Sequence, residues 1–239
     1  MINVDKVREV ISTELKFLFF RPVKPDMKNL GNYYLALGLL TSWLAGVGRY
    51  WDNPRAELWQ YLGLGSLAYI FILALILWLL ILPLRPENWS YKSVLIFVGM
   101  TAPPAMLYAI PVERYFSLST AQTMNVWFLA IVATWRVILL FKYLRYSARL
   151  SGFTIIVAAV LPLAIIVSAL AMLNLEHVVF RIMAGLTEDE KSANDAAYTI
   201  LLLLTYGSFM ASPVLLIAYV TMIIRRRKAM KVDDENTRS

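Results

Sequence analysis

The chain has 239 residues, 59% of them hydrophobic, with a mean hydropathy of +0.62, a net charge of +7 and no cysteine. That composition excludes disulfides, thiolate chemistry and cysteine-ligated metals, and its apolar residues fall in runs that leave no stretch long enough for a soluble domain. Six stretches, roughly 33–51, 61–84, 93–110, 124–144, 153–173 and 196–224, are each long enough to cross a bilayer, which takes about 20 apolar residues per helix. The expected fold is therefore all-α: a polytopic transmembrane helical bundle of six spans, preceded by an N-terminal amphipathic helix. Residues 1–32 form the expected cytoplasmic amphipathic segment, 33–224 the membrane domain and 225–239 a cytoplasmic tail.

Residues 2–20 carry Val4, Val7, Ile11, Leu15 and Leu18 at steps of three and four, which keeps them on one helical face. Such a helix would lie on the inner membrane surface or pack on the cytoplasmic ends of the bundle. Asp5, Glu9 and Glu14 interrupt any continuous apolar run, so the segment does not read as a signal peptide and the first span is expected to be the insertion signal. Arg21-Pro22-Val23-Lys24-Pro25 ends the helix, because proline lacks an N–H donor and blocks continuation.

In the first span Gly38, Ser42 and Gly46 repeat every four residues. Small residues on one face let backbones approach within lipid, here for internal packing or for a dimer seam. Tyr50, Trp51, Trp59, Tyr61, Trp89, Tyr91, Tyr143 and Tyr146 sit where interfacial aromatics anchor spans.

The third span holds Gly99-Met100-Thr101-Ala102-Pro103-Pro104 and ends in Ile110-Pro111-Val112-Glu113-Arg114. Pro103 and Pro104 remove two backbone donors, so the span is expected to kink and its freed carbonyls to find partners in the protein or water. Pro162 and Pro213 interrupt the fifth and sixth spans. Broken helices of this kind mark transport sites in some folds, although prolines are also common in membrane helices generally.

Arg136 is the charged residue set inside the fourth span. It either snorkels to the headgroups, being six residues before Lys142, or sits in a polar pocket with Tyr, Ser, Thr or carbonyl partners. Arg136, Thr101, Pro103, Pro104, Glu113 and Arg114 are thus the candidate polar site. No Asp or Glu lies deep in a span, which disfavours proton-coupled transport.

Lys142, Arg145 and Arg149 recur at three and four, as on one helical face, and Arg225, Arg226 and Arg227 follow the last span; anionic inner-leaflet lipid is their expected partner. Six basic residues in the N-terminal segment, two in the second loop, three in the fourth and six in the tail stand against five on the other side. By the positive-inside rule both termini are then cytoplasmic, in the inner membrane if the chain is bacterial, and the acidic 174–195 loop faces outward.

Signals for enzymatic chemistry are sparse. His177 is the single histidine, too few for a His-Glu-x-x-His zinc helix, and neither a Gly-x-Ser-x-Gly elbow nor a glycine-rich phosphate loop occurs. No catalytic residue, metal or cofactor is expected, and topology accounts for the positive charge without nucleic acid. The expected function is non-enzymatic: an accessory, scaffold or regulatory subunit that packs against another membrane protein or its own copy. The alternative is a small transporter or channel using the proline-broken spans three, five and six, with a cavity lined by Thr101, Tyr108, Arg136 and Ser168.

Residues Arg85 to Leu150 carry a polar Ser90-Tyr91-Lys92 entry, the span Val94–Gly99, the core Thr101-Ala102-Pro103-Pro104 and the span Trp127–Leu144 leading into a basic loop. With the following span around Pro162, this pattern of hydropathy and prolines over residues 30–173 resembles the Yip family of multi-span membrane proteins. The resemblance implies a helical bundle with a cytoplasmic N-terminus, often of five spans, and no catalytic residues; eukaryotic members are linked to small GTPases and vesicle traffic. The chain departs from that pattern in its sixth span and acidic outer loop, and no functional residue carries over.

Overall fold

The computed structural model describes residues 4–51, 56–173 and 195–238, and every element in them is helical. The α-helices are α1 (Val4–Leu18), α2 (Gly31–Tyr50), α3 (Leu58–Tyr61), α4 (Leu64–Ile81), α5 (Tyr91–Met100), α6 (Leu118–Tyr146), α7 (Phe153–Met172) and α8 (Asp195–Arg238). Short 3-10 helices extend α4 (Leu82–Leu84) and follow α5 (Pro103–Ala109, then Val112–Arg114). The 174–195 loop with His177 lies almost wholly outside the described residues, as do the side chains of Glu113 and Arg227.

Four segments are long and apolar enough to cross a membrane: Leu64–Leu84, Thr123–Tyr146, Phe153–Met172 and Leu202–Arg226. A fifth is the pair Tyr91–Met100 and Pro103–Ala109, bent by 46° at its break. The single span expected over 93–110 is thus two pieces. α2, matching the expected first span, is about 30 Å long at 1.5 Å per residue but is not among the four; Asn32, Thr41, Ser42, Arg49 and four glycines dilute its apolar content.

α5 is the centre. Every residue from Val94 to Met100 is buried, with α2 and α4 packed along it. Close approach explains the small residues of α2. A Cβ on Gly38 would lie 2.5 Å from the Gly99 backbone of α5, and one on Gly46 2.5 Å from Ser66 Oγ of α4. Ser42 Oγ donates to Ser66 O at 3.1 Å. The stripe packs α2 internally rather than forming a free seam.

α4 buries Ile70, Ala74, Leu77 and Ile81, a helical stripe that meets Val94, Phe97, Leu139, Tyr143, Leu144 and Ala158 in the main core. Phe97 and Tyr143 stack at 4.1 Å. α7 packs against α8 through Val157, Leu161, Ala164 and Leu215, and the Ser168 and Ser212 hydroxyls meet at 3.3 Å. The α8 backbone runs as helix to Arg238, so the tail continues the last expected span.

α1 lies on α2 and α5, with Phe17 edge-on to Phe97 at 6.4 Å. Its end is held by α6: Trp135 Nε1 donates to Leu18 O at 2.9 Å and Lys142 Nζ to Phe20 O at 2.5 Å. These donors satisfy carbonyls that a helix C-terminus leaves unbonded. The buried line of α1 is Val10, Glu14 and Leu18, whereas Val4, Ile11 and Leu15 of the expected apolar stripe point outward.

Contacts also gather the four basic segments at one end of the molecule. Besides the Lys142–Phe20 bond, Glu87 pairs with Arg149 at 3.3 Å and its N–H donates to Ala148 O. At the end of α8 Arg226 donates to Leu84 O, and Tyr219 donates to Leu80 O at 2.8 Å. At the other end Trp43 Nε1 donates to Leu62 O at 3.0 Å, and Arg114 lies over Trp51 at 4.3 Å.

Candidate functional site

The break after α5 follows from its prolines. Past Met100 the helix tightens: Ala102 N–H donates to Gly99 O and Ala105 N–H to Ala102 O, both i to i−3 bonds. Pro103 and Pro104 have no N–H, and Ala105, the natural i+4 donor to Thr101 O, is engaged elsewhere. The Thr101 carbonyl is thereby released inside the bundle. Arg136 Nε donates to it at 3.1 Å, and Arg136 Nη1 donates to Tyr69 Oη at 3.2 Å, with the guanidinium 5.4 Å from the Tyr69 ring. The Thr101 hydroxyl, itself buried, donates to Val98 O at 2.7 Å.

Arg136 reaches across the bundle from α6 to the broken span and α4. It is not drawn along its own helix toward Lys142. Around it stand two further groups. Tyr108, in the 3-10 helix, is an electrostatic neighbour of Arg136, Arg49 and Tyr69. Arg49, at the end of α2, holds its guanidinium 5.3 Å from the Tyr108 ring and hydrogen-bonds Tyr50. Two guanidiniums and two phenols from four elements therefore meet beside the break. Among the described residues no group of three or more metal-ligating side chains occurs.

The structure brings Arg136 and Thr101 together, with Pro103 and Pro104 shaping the carbonyl between them. Arg114 stands apart, exposed on Trp51, and Ser168 belongs to the α7–α8 seam. Tyr69 and Arg49 were missed as site residues by sequence reasoning; a tyrosine one turn and a half into an apolar helix was the available signal.

The basic residues at the other end divide. Lys142 and Arg226 are spent on the Phe20 and Leu84 carbonyls. Arg145 and Arg225 are exposed. Arg149 corrects an expectation: it does not continue the face of Lys142 and Arg145, because α6 stops at Tyr146. The chain then reverses, with Ala148 N–H bonded to Tyr143 O, Leu150 N–H to Leu144 O and Arg149 at φ 50°.

A second unforeseen residue is Glu14. It is 2% exposed, neither carboxylate oxygen has a hydrogen-bond partner among the described residues, and burial pushes its pKa up to about 8. The signal for it was the spacing Val10, Glu14, Leu18, a carboxylate in the middle of a second helical stripe.

Comparison with protein-family models, curated proteins and solved structures finds no match for the chain. The Yip resemblance accordingly stands on its hydropathy and proline pattern alone.

Proposed function

We propose that this chain is a six-span integral membrane protein with both termini in the cytoplasm, and that it serves as an accessory or scaffold subunit by packing against another membrane component. α2 is the first span, and α1 lies in the inner interface with Val4, Ile11, Leu15 and Phe19 toward lipid. The gathering of all four basic segments at one end supports this orientation, since charge bias and spatial grouping then agree.

The observation that carries the scaffold reading is the packed state of α5. A conduction path would have to run along the broken span, yet Val94 to Met100 are all buried in side chains. At the break Met100 and Ala102 are sealed and the Thr101 carbonyl is bonded by Arg136. The alternative, a small transporter, draws on the same break with its 46° bend and central arginine.

Two experiments test the reading. The cysteine-free chain allows single-site labelling: Ser151→Cys is expected to resist an impermeant thiol reagent in intact cells and Ser117→Cys to react. Reversal of that pattern refutes the topology. Purification in mild detergent with mass spectrometry is expected to recover a stoichiometric membrane partner or a homo-oligomer. A monomer that moves solute in proteoliposomes refutes the scaffold reading in favour of transport.

A further inference from the structure

A guanidinium has five N–H donors, and Arg136 uses two of them, on Thr101 O and Tyr69 Oη. Among the described residues no carboxylate pairs with it. Its remaining N–H groups are not sealed in: the residue is half-buried, and no Arg136 nitrogen is among the buried unbonded atoms. Tyr69 is itself 41% exposed, and Ile72, the next residue on the same flank of α4, is exposed as well. In a bilayer that flank faces hydrocarbon, where unbonded donors on a fixed positive charge are costly.

Arg49 is a second cation near Tyr108, its guanidinium 5.3 Å from the ring. Two like charges facing one phenol at low dielectric repel strongly, and an anion between them reverses the sign of the interaction. Arginine forks match phosphate oxygens in pairs, and phenol hydroxyls supply further donors. Depth fits a headgroup. Tyr69 is five residues from the start of α4, about 7.5 Å along a helix rising 1.5 Å per residue. Leu58, Trp59 and Trp51 are exposed at that same end, as interfacial residues are.

We propose that Arg136, Arg49, Tyr69 and Tyr108 form a lateral site for the phosphate of a membrane phospholipid, entered from the lipid flank beside α4. The proposal rests on the membrane reading of the chain and assigns to the break a lipid ligand in place of a solute path. The headgroup phosphate completes the unfilled donors of Arg136, and its negative charge stands between the two arginines.

The test uses the full chain purified in neutral detergent, with phosphatidylglycerol, phosphatidylcholine or inorganic phosphate added separately. Retained lipid is counted by native mass spectrometry and unfolding is followed by temperature. Wild type is expected to hold one phospholipid that Arg136→Gln binds about tenfold more weakly, the loss of one charge-assisted interaction. Tyr69→Phe, which removes only the hydroxyl and keeps the ring, is expected to weaken it severalfold. Arg145→Gln, an exposed cation at the opposite end, is expected to leave it unchanged.

If Arg136→Gln does not fold, Arg136→Lys and Tyr69→Phe decide, because lysine keeps the charge and loses the planar fork. Equal retention by wild type and all site variants overturns the proposal. A thermal shift from inorganic phosphate as large as that from lipid overturns the headgroup assignment in favour of a soluble oxyanion. Release of the chain from membranes by alkaline carbonate is a separate outcome and overturns the membrane reading itself.

Discussion

Glu14 makes the attachment of α1 depend on pH, and the sign follows from its burial. Released from the bundle its carboxyl has the ordinary value of 4.5, whereas docked it titrates at about 8. The docked state therefore holds a proton that the released state gives up, and docking weakens as pH rises. Its contribution is complete below 4.5, declines through the interval and is lost above about 8. The slope is about 1.4 kcal/mol per pH unit, which accumulates to roughly 5 kcal/mol across the window. This is an upper bound, because water enters or α1 shifts before the full cost of a bare carboxylate develops. The titratable group facing Glu14 from α2 is Tyr34, whose hydroxyl meets Thr13 and which also senses Glu9 and Asp26; none of these supplies a cation to hold the carboxylate ionised. The assay is hydrogen exchange of residues 4–18 in detergent between pH 5 and 9, corrected for intrinsic rates. Wild type is expected to lose protection as pH rises. Glu14→Gln, a neutral isostere, is expected to show a flat profile with protection at pH 9 near the wild-type level at pH 5. Matching pH slopes in the two proteins would refute the reasoning.

Other outcomes follow from packing and capping. Gly38→Ala is expected to destabilise the bundle by about 1–3 kcal/mol, because its Cβ meets the Gly99 backbone, which has no side chain to move aside. Gly207→Ala, with nothing within 4 Å, is expected to be neutral or slightly stabilising in the same thermal unfolding measurement. Trp135→Phe removes the donor to Leu18 O and is expected to cost about 1 kcal/mol of α1 docking, read by the same exchange experiment. Arg149→Gln breaks an exposed pair with Glu87 and is expected to change stability by less than about 1 kcal/mol at moderate salt.

The long apolar helices were legible because length and hydropathy are sufficient for them: spans expected at 61–84, 124–144 and 153–173 meet helices at Leu64–Leu84, Thr123–Tyr146 and Phe153–Met172. The broken third segment was legible as a kink, since two prolines must forfeit two bonds. Its position was not, because the tightening begins before the prolines, at the Ala102 to Gly99 bond. The buried face of α1 escaped the sequence for a different reason. Val4, Ile11 and Leu15 form a good apolar stripe, but Val10 and Leu18 offer a second one, and spacing alone does not say which face packs on the bundle. The shared face of Lys142, Arg145 and Arg149 failed because periodicity assumes the helix goes on. The reversal at Ala148 and Leu150 breaks the register between Arg145 and Arg149.

Glu14 and Arg136 present one physical problem with two solutions. Each is a charged residue type with no ionic partner among the described residues: Glu14 on the α1 face packed toward α5, and Arg136 on α6 beside the end of α5. A carboxyl meets this condition by binding a proton, and its raised pKa is the record of that choice. Arginine has no such exit, since its guanidinium stays charged at any accessible pH. It must be solvated by the protein, and the Thr101 carbonyl, left free where the helix tightens and Ala105 N–H turns to Ala102 O, is an acceptor placed for it. The broken helix and the arginine beside it thus account for each other: without the break Thr101 O would be bonded to Ala105, and without Arg136 it would be an orphan acceptor. Arg136→Leu combined with Pro103→Ala and Pro104→Ala, which lets the helix continue and removes the charge together, is accordingly expected to be less destabilising than Arg136→Leu alone. Thermal unfolding of the two variants decides it. A triple variant less stable than Arg136→Leu would show that the prolines serve the fold in some way other than freeing this carbonyl.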